Sequence, residues 1–232
     1  MIIKGLQKTT LIDFPGRVGC TLFTDGCNFR CGFCQNPDLI ISNPRLPVIP
    51  EKEIFAFLES RKKWLNGVCI TGGEPTLQKD LPEFCRKIKS MGFEVKLDSN
   101  GSNPETLKKL IKEKLVDFIA MDIKTSLEKY SGLCGVKVDS EKIKQSAEII
   151  KNSGLEYEFR CTVIPEFFSK KDALKIGEWL KDSKIFVLQQ FQNDVPLFDE
   201  SFKEKKPFSV GELNELKIIL EKFFDKVEIK NL

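Results

Sequence analysis

Three cysteines within eight residues, Cys27, Cys31 and Cys34, are the side chains of this sequence best placed to do chemistry. They follow an apolar run, Val18–Phe23, so they begin in a loop at the C-terminal end of a strand. Three thiolates this close along the chain can converge on one ion or one cluster. Structural zinc takes four ligands in a closed tetrahedron, and an ordinary 4Fe–4S cluster also takes four cysteines. No second Cys-X2-Cys pair is present to complete either set. Three ligands leave one metal position open, which suits reaction at the metal; zinc with a remote fourth cysteine is the bland alternative. Histidine is absent. Ser-His-Asp and Cys-His triads, His-ligated zinc and a His general base are thereby excluded. Acid–base or metal chemistry falls to Cys, Asp, Glu, Lys or Tyr.

Further polar groups stand at the ends of other apolar runs. Thr71-Gly72-Gly73-Glu74-Pro75 follows Gly67–Ile70, and paired glycines let a backbone approach a ligand with no Cβ between. Lys96-Leu97-Asp98-Ser99-Asn100-Gly101 ends a third run. Asp122 and Lys124 end a fourth; two residues apart on a strand, they share a face. Arg160, in Phe159–Pro165, and Gln190, in Leu188–Phe191, follow in later runs. A solvated strand end with a surface ion pair accounts for such residues equally well. On the C-terminal rim of a parallel barrel the same groups would meet a ligand. Cys20, Cys69 and Cys161 lie in apolar runs and Cys85 in an amphipathic helix, where a free thiol acts as a small hydrophobe. Cys134, on a Gly-containing loop, is the remaining candidate for a reactive thiol.

The elements that must position these groups alternate. Strands are expected at Arg17–Thr24, Gly67–Thr71, Phe93–Asp98, Val116–Asp122, Leu155–Ile164, Lys184–Gln190 and Lys226–Lys230. Between them, Ile54, Phe57, Leu58, Arg61 and Leu65 mark one helical face. Helices are also expected at Lys79–Ser90, Ser140–Ser153 and Lys170–Lys181. Asn103-Pro104 reads as an N-cap with proline at the first turn, and Ser209 with Glu212 has capping-box spacing. Alternation of this kind gives a parallel sheet, either doubly wound or a shortened barrel. Three long loops, Ile41–Pro50, Ser131–Asp139 and Gln192–Phe208, interrupt the rhythm. At 232 residues the chain reads as one domain. Lys+Arg 37 against Asp+Glu 34, a net +3, favours neither a nucleic-acid nor a membrane partner. The opening residues lack an apolar segment with a cleavage site, and no run is long enough to span a bilayer. A cytoplasmic chain with reduced thiols is the expectation.

Taken together, the Cys-X3-Cys-X2-Cys and Gly-Gly-Glu-Pro segments resemble the motifs of the radical S-adenosylmethionine (SAM) enzymes. That resemblance implies an α/β fold, a partial (open) β/α barrel of about six parallel strands. Its core would cover roughly residues 16–191, with a helix–strand extension over roughly 209–232. It implies that Cys27, Cys31 and Cys34 hold a 4Fe–4S cluster whose fourth iron takes the amine and carboxylate of SAM. Gly72, Gly73, Glu74 and Pro75 would bind the methionine amino group, with Phe33 near the adenine. Asp98-Ser99-Asn100-Gly101 and Asp122-Ile123-Lys124 are similar to segments of glycyl-radical enzyme activators. By that likeness Asp98 and Asp122 would contact SAM, or a monovalent cation beside its carboxylate, and Ser99 and Lys124 would complete the pocket. Arg160 could face a carboxylate inside the barrel or equally sit outside it, and Gln190 would replace a His that relatives carry near the ribose.

Over its full length the chain resembles the short activating proteins of anaerobic ribonucleoside-triphosphate reductase, through Gly5–Gly16, Thr24–Cys31 and Cys34-Gln35-Asn36-Pro37. Gln35 departs from the His common in relatives after the third cysteine. The resemblance implies reductive cleavage of SAM, with flavodoxin or ferredoxin as the reductant, and removal of a hydrogen atom from a glycine Cα of a partner enzyme. The rim loops are the expected partner-binding surface. The alternatives are an activator of a pyruvate formate-lyase-type enzyme, a radical enzyme acting on a small molecule, a non-catalytic iron–sulfur electron carrier and a zinc-stapled binding module. The altered cluster loop usual in 7-carboxy-7-deazaguanine synthases is absent, which counts against the small-molecule reading.

Overall fold

A computed structural model describes every residue, Met1–Leu232. Eight strands form one sheet in chain order: β1 (Ile3–Thr10), β2 (Gly19–Thr24), β3 (Gly67–Gly72), β4 (Glu94–Ser99), β5 (Phe118–Asp122), β6 (Glu156–Val163), β7 (Ser183–Gln190) and β8 (Phe224–Lys230). From β2 to β8 neighbouring strands are parallel, while β1 is antiparallel to β2. β1 and β8 are not hydrogen-bonded to each other, so the barrel stays open. The parallel set is the six strands of the expected barrel with β8, the strand of the expected extension, added at its edge. β1 has no counterpart among the expected strands, because Ile-Lys-Gly-Leu-Gln-Lys-Thr-Thr lacks an alternating apolar pattern and three of its eight residues are exposed. Its pairing with β2, through two register irregularities, makes it a strand. β1 and β8 both extend beyond the expected core yet belong to the same sheet.

The helices cover the outside: α1 (Pro37–Ile40), α2 (Glu51–Arg61), α3 (Leu81–Ser90), α4 (Pro104–Lys112), α5 (Tyr130–Leu133), α6 (Ser140–Lys151), α7 (Lys170–Trp179) and α8 (Val210–Leu220). The expected caps form. The Asn103 side chain accepts from Thr106 N–H with Pro104 behind it, and Ser209 with Glu212 makes a reciprocal capping box. Side chains alternate across each strand. The outward set, such as Val95, Leu97, Ile119, Met121 and Phe159, joins Leu81, Phe84, Leu107, Leu110 and Ile143 of the helices in one apolar core.

The inward set is different. At the N-terminal end of the strands Phe14 meets Phe118, ring centroids 6.0 Å apart, and Ala120. Phe14 fits because β3 starts with Gly67, where a Cβ would come within 2.6 Å of the ring. Above this apolar plug the inward residues become polar: Lys96 and Asp98 on β4, Asp122 on β5, and Glu158 and Arg160 on β6. The barrel is therefore closed at one end and polar toward the other, where the loops after the strands meet.

Candidate active site

A cavity of about 350 Å³ opens at the C-terminal ends of the strands, and all three motif cysteines line it. Their loop is clamped by backbone hydrogen bonds. Gly26 N–H donates to Leu39 O at 2.8 Å, Arg30 N–H to Cys134 O at 2.8 Å, and Asp199 N–H to Gly32 O at 2.9 Å. No three Cys, Asp or Glu side chains stand close enough together to share one metal ion. Three thiols lining one cavity match the thiolate donors that hold an iron–sulfur cluster. Burial pushes the Cys27 thiol up to about 11 and raises Cys34. Cys31 is held below its usual range by the neighbouring Cys134 thiol and the Lys124 charge. Cys134, the loop candidate for a reactive thiol, is fully buried, and its carbonyl anchors this loop through Arg30 N–H.

Opposite the thiols, β3 runs into Gly72-Gly73-Glu74. Gly72 has φ +113°, and a Cβ there would lie 2.3 Å from Thr24 N; at Gly73 it would lie 2.1 Å from Gly26 O. The two loops touch along their backbones, and only glycine permits it. Glu74 is buried and accepts four hydrogen bonds: Thr76 N–H at 3.1 Å, Thr76 Oγ1–H at 2.5 Å, Ser99 Oγ–H at 2.9 Å and Asn100 N–H at 2.6 Å. Burial lifts its carboxyl above the usual value despite these donors. Glu74 thus ties the loop after β3 to the loop after β4. Pro75 does not line the cavity; it opens a 3₁₀ turn beneath it.

The third wall carries charge. Arg160 Nη1 donates to Asp98 Oδ2 at 3.2 Å and Nη2 pairs with Asp122 Oδ1 at 2.9 Å. Lys124 Nζ donates to Asp122 Oδ2 at 3.1 Å, and Lys96 Nζ donates to Asp98 Oδ1. Burial pushes both carboxyls up, but the Arg160 charge, with the adjacent lysines, outweighs it and holds them below the ordinary carboxylate range. Phe33 lies beside this wall, with Lys124 Nζ 5.9 Å from its ring centroid.

The cavity therefore gathers Cys27, Cys31, Cys34, Phe33, Gly72, Gly73, Glu74, Asp98, Ser99, Asp122, Lys124 and Arg160. Gln190 is a correction. Its Nε2 donates to Phe208 O at 2.5 Å and it does not line the cavity; Gln189 does. A one-residue difference on a strand reverses the face. Sequence reasoning also missed Asn100, whose Nδ2 donates to Asn28 Oδ1 at 2.9 Å in the cysteine loop. Asp13, which accepts from Thr21 Oγ1–H at 2.6 Å, was likewise missed. Lys96 was missed although its period-two relation to Asp98 placed it on the same face.

The radical SAM superfamily model matches residues 21–176. A protein of Methanocaldococcus jannaschii with the provisional name glycyl-radical enzyme activating enzyme is 33% identical, covering 100% of this chain and 96% of its own length. The pyruvate formate-lyase-activating enzyme of Listeria monocytogenes is 34% identical over 131 residues, 53% of this chain and 52% of that protein. Among solved structures, SuiB of Streptococcus suis bound to S-adenosylmethionine superimposes with a TM-score of 0.66 at 17% identity, over 88% of this chain and 47% of SuiB.

Proposed function

The chain belongs to the glycyl-radical enzyme activating enzymes of the radical SAM superfamily, and on that premise we propose that it activates an anaerobic ribonucleoside-triphosphate reductase. The observation that carries the reading is the meeting, at the C-terminal ends of parallel strands, of three thiols, a glycine-only backbone contact and a ring of paired charges. A reduced 4Fe–4S cluster together with SAM supplies a carbon-centred radical able to take a hydrogen atom from a glycine Cα. The chain's own part is to hold and orient these groups. Cys27, Cys31 and Cys34 hold the cluster, each on a backbone clamped from outside the loop. Gly72, Gly73 and the Glu74 junction face the methionine amino group. Arg160 and Lys124 offer positive charge to its carboxylate, Asp98, Asp122 and Ser99 keep those cations in place, and Phe33 packs on the adenine side. Gln189 takes the role expected of Gln190. Flavodoxin or ferredoxin delivers the electron. The open side between β1 and β8 suits a large substrate such as a protein loop.

The test is anaerobic reconstitution with iron and sulfide, reduction by dithionite and assay of 5′-deoxyadenosine, first alone and then with an anaerobic ribonucleotide reductase. Product, together with a glycyl-radical doublet in the electron paramagnetic resonance spectrum of that partner, supports the reading. Product with a doublet formed only on a pyruvate formate-lyase would favour the second reading, which the local match to the Listeria activator motivates. A loaded cluster that never cleaves SAM with either partner would leave an electron carrier.

A further inference from the structure

The charge wall contains a group that the proposed function leaves unused. Lys96 is the only lysine or arginine among the buried residues, with its side chain 1% exposed. Its Nζ donates to Asp98, sits 5.6 Å from the Phe118 ring centroid and lies 4.0 Å from Cys69 Sγ. The ammonium thus lies over the ring of the apolar plug while it pairs with the polar layer through Asp98. An ammonium taken this far from water is costly unless it is paired. Asp98 supplies the pairing through Oδ1, and its Oδ2 goes to Arg160. Asp122 divides in the same way, Oδ1 to Arg160 and Oδ2 to Lys124. Every oxygen of the two carboxylates therefore already meets a cation that is part of the chain. A dissolved sodium or potassium ion bound between these aspartates would have to share oxygens that already face a cation of the chain. Glu158, the next acidic group along the wall, is 3.9 Å from Arg160 and 3.5 Å from Lys230.

We propose that the Lys96 ammonium is the built-in counter-ion of Asp98 and stands where a monovalent cation would otherwise sit, so that the site takes its carboxylate-bearing ligand without sodium or potassium. The proposal rests on the SAM reading only for the identity of that ligand; the occupancy of Asp98 is independent of it. The expected monovalent cation is thereby replaced by a covalently held one. Its positioning consequence is that Arg160 stays oriented by both aspartates whatever the ionic composition of the medium.

The test has two arms. The first is thermal unfolding of the apo chain in sodium, potassium or choline chloride at equal ionic strength. The second is equilibrium binding of SAM to the reconstituted protein in the same salts. The wild type is expected to melt alike in all three and to bind SAM within about twofold across them, since a choline ion is too large to occupy a carboxylate site that a metal cation would fill. Lys96→Ala leaves room and a bare carboxylate. It should melt about 10 °C lower in choline, as expected when one partner of an enclosed pair is removed, and regain about a third of that in sodium or potassium by mass action. Lys96→Met fills the space without charge and should regain nothing. Should Lys96→Ala fail to fold, the double variant Lys96→Met/Asp98→Asn, lacking both charges, should fold and melt alike in every salt. A wild type whose melting or SAM affinity responds to sodium or potassium over choline overturns the proposal. So does a Lys96→Ala variant indifferent to all three, because Lys96 would then be a structural residue alone. Failure to bind SAM in any salt counts against the proposed function and leaves the melting arm in force.

Discussion

Replacing Arg160 by Met removes the cation that Asp98 and Asp122 share. The guanidinium reaches from β6 to both, at 3.2 and 2.9 Å. Breaking an enclosed pair by deleting one partner costs about 3–5 kcal/mol, chiefly from the charge left behind. Here each carboxylate keeps a second cation, and the Asp122 side chain is 31% exposed. The expected loss is therefore at or below the low end of that range, about 2–3 kcal/mol. For a chain of this size that corresponds to about 4–12 °C in Tm. The loss should also depend on pH. A carboxyl held low by folding contributes stability above its unfolded pKa, near 3.9, and loses that contribution as pH falls through its folded value. In the wild type this describes Asp98 and Asp122. Without Arg160 burial gains weight against the lysines, both carboxyls rise, and protonation relieves the variant before it affects the wild type. The gap in Tm should be widest at about pH 7 and should narrow toward about pH 4.5. Calorimetry of both apo proteins across that range measures it. A gap below about 1 kcal/mol, or one independent of pH, would refute the shared counter-ion.

Replacing Cys27, Cys31 or Cys34 by Ala should abolish the broad absorbance near about 400 nm that follows iron–sulfide reconstitution. Ala at Cys20, Cys69 or Cys161 should preserve it, and retained absorbance in Cys31→Ala would contradict the cluster assignment. Gly73→Ala puts a Cβ 2.1 Å from Gly26 O; it should displace the cysteine loop, cost about 1–3 kcal/mol and lower cluster loading, with unchanged iron content as the contrary result. Ser209→Ala breaks the α8 capping box and should cost about 1 kcal/mol in chemical denaturation, with cofactor loading the same as in the wild type.

Parts of the site were readable because their chemistry is local. Cys27, Cys31 and Cys34 occupy one loop, and Gly72-Gly73-Glu74 another, so spacing and residue type suffice to mark them. The strands that deliver these loops were readable for a related reason: the faces toward the helices are apolar, and their ends carry Gly, Asp or Asn. Gln190 went astray because either of two adjacent glutamines could face inward. The register of β7 between β6 and β8 decides that, and it depends on pairings far away in the chain. β1 was unreadable because it is an edge strand stabilised by β2 rather than by its own pattern. Cys134, placed on a loop by its glycines, is buried because the segment after α5 packs on Arg30.

Length, charge balance, the lack of histidine and the two motifs belong to the amino-acid sequence, and they determine that thiolate and backbone chemistry must do the work. The pairing of those motifs across a cavity belongs to the tertiary structure. So does the choice of counter-ions on its third wall, because Lys96, Asp98, Asp122 and Arg160 come from three strands and meet only when those strands pair in register. Coulombic pairing acts over a few ångströms whatever the separation in sequence. Which charge neutralises which is therefore decided by the order and register of the strands.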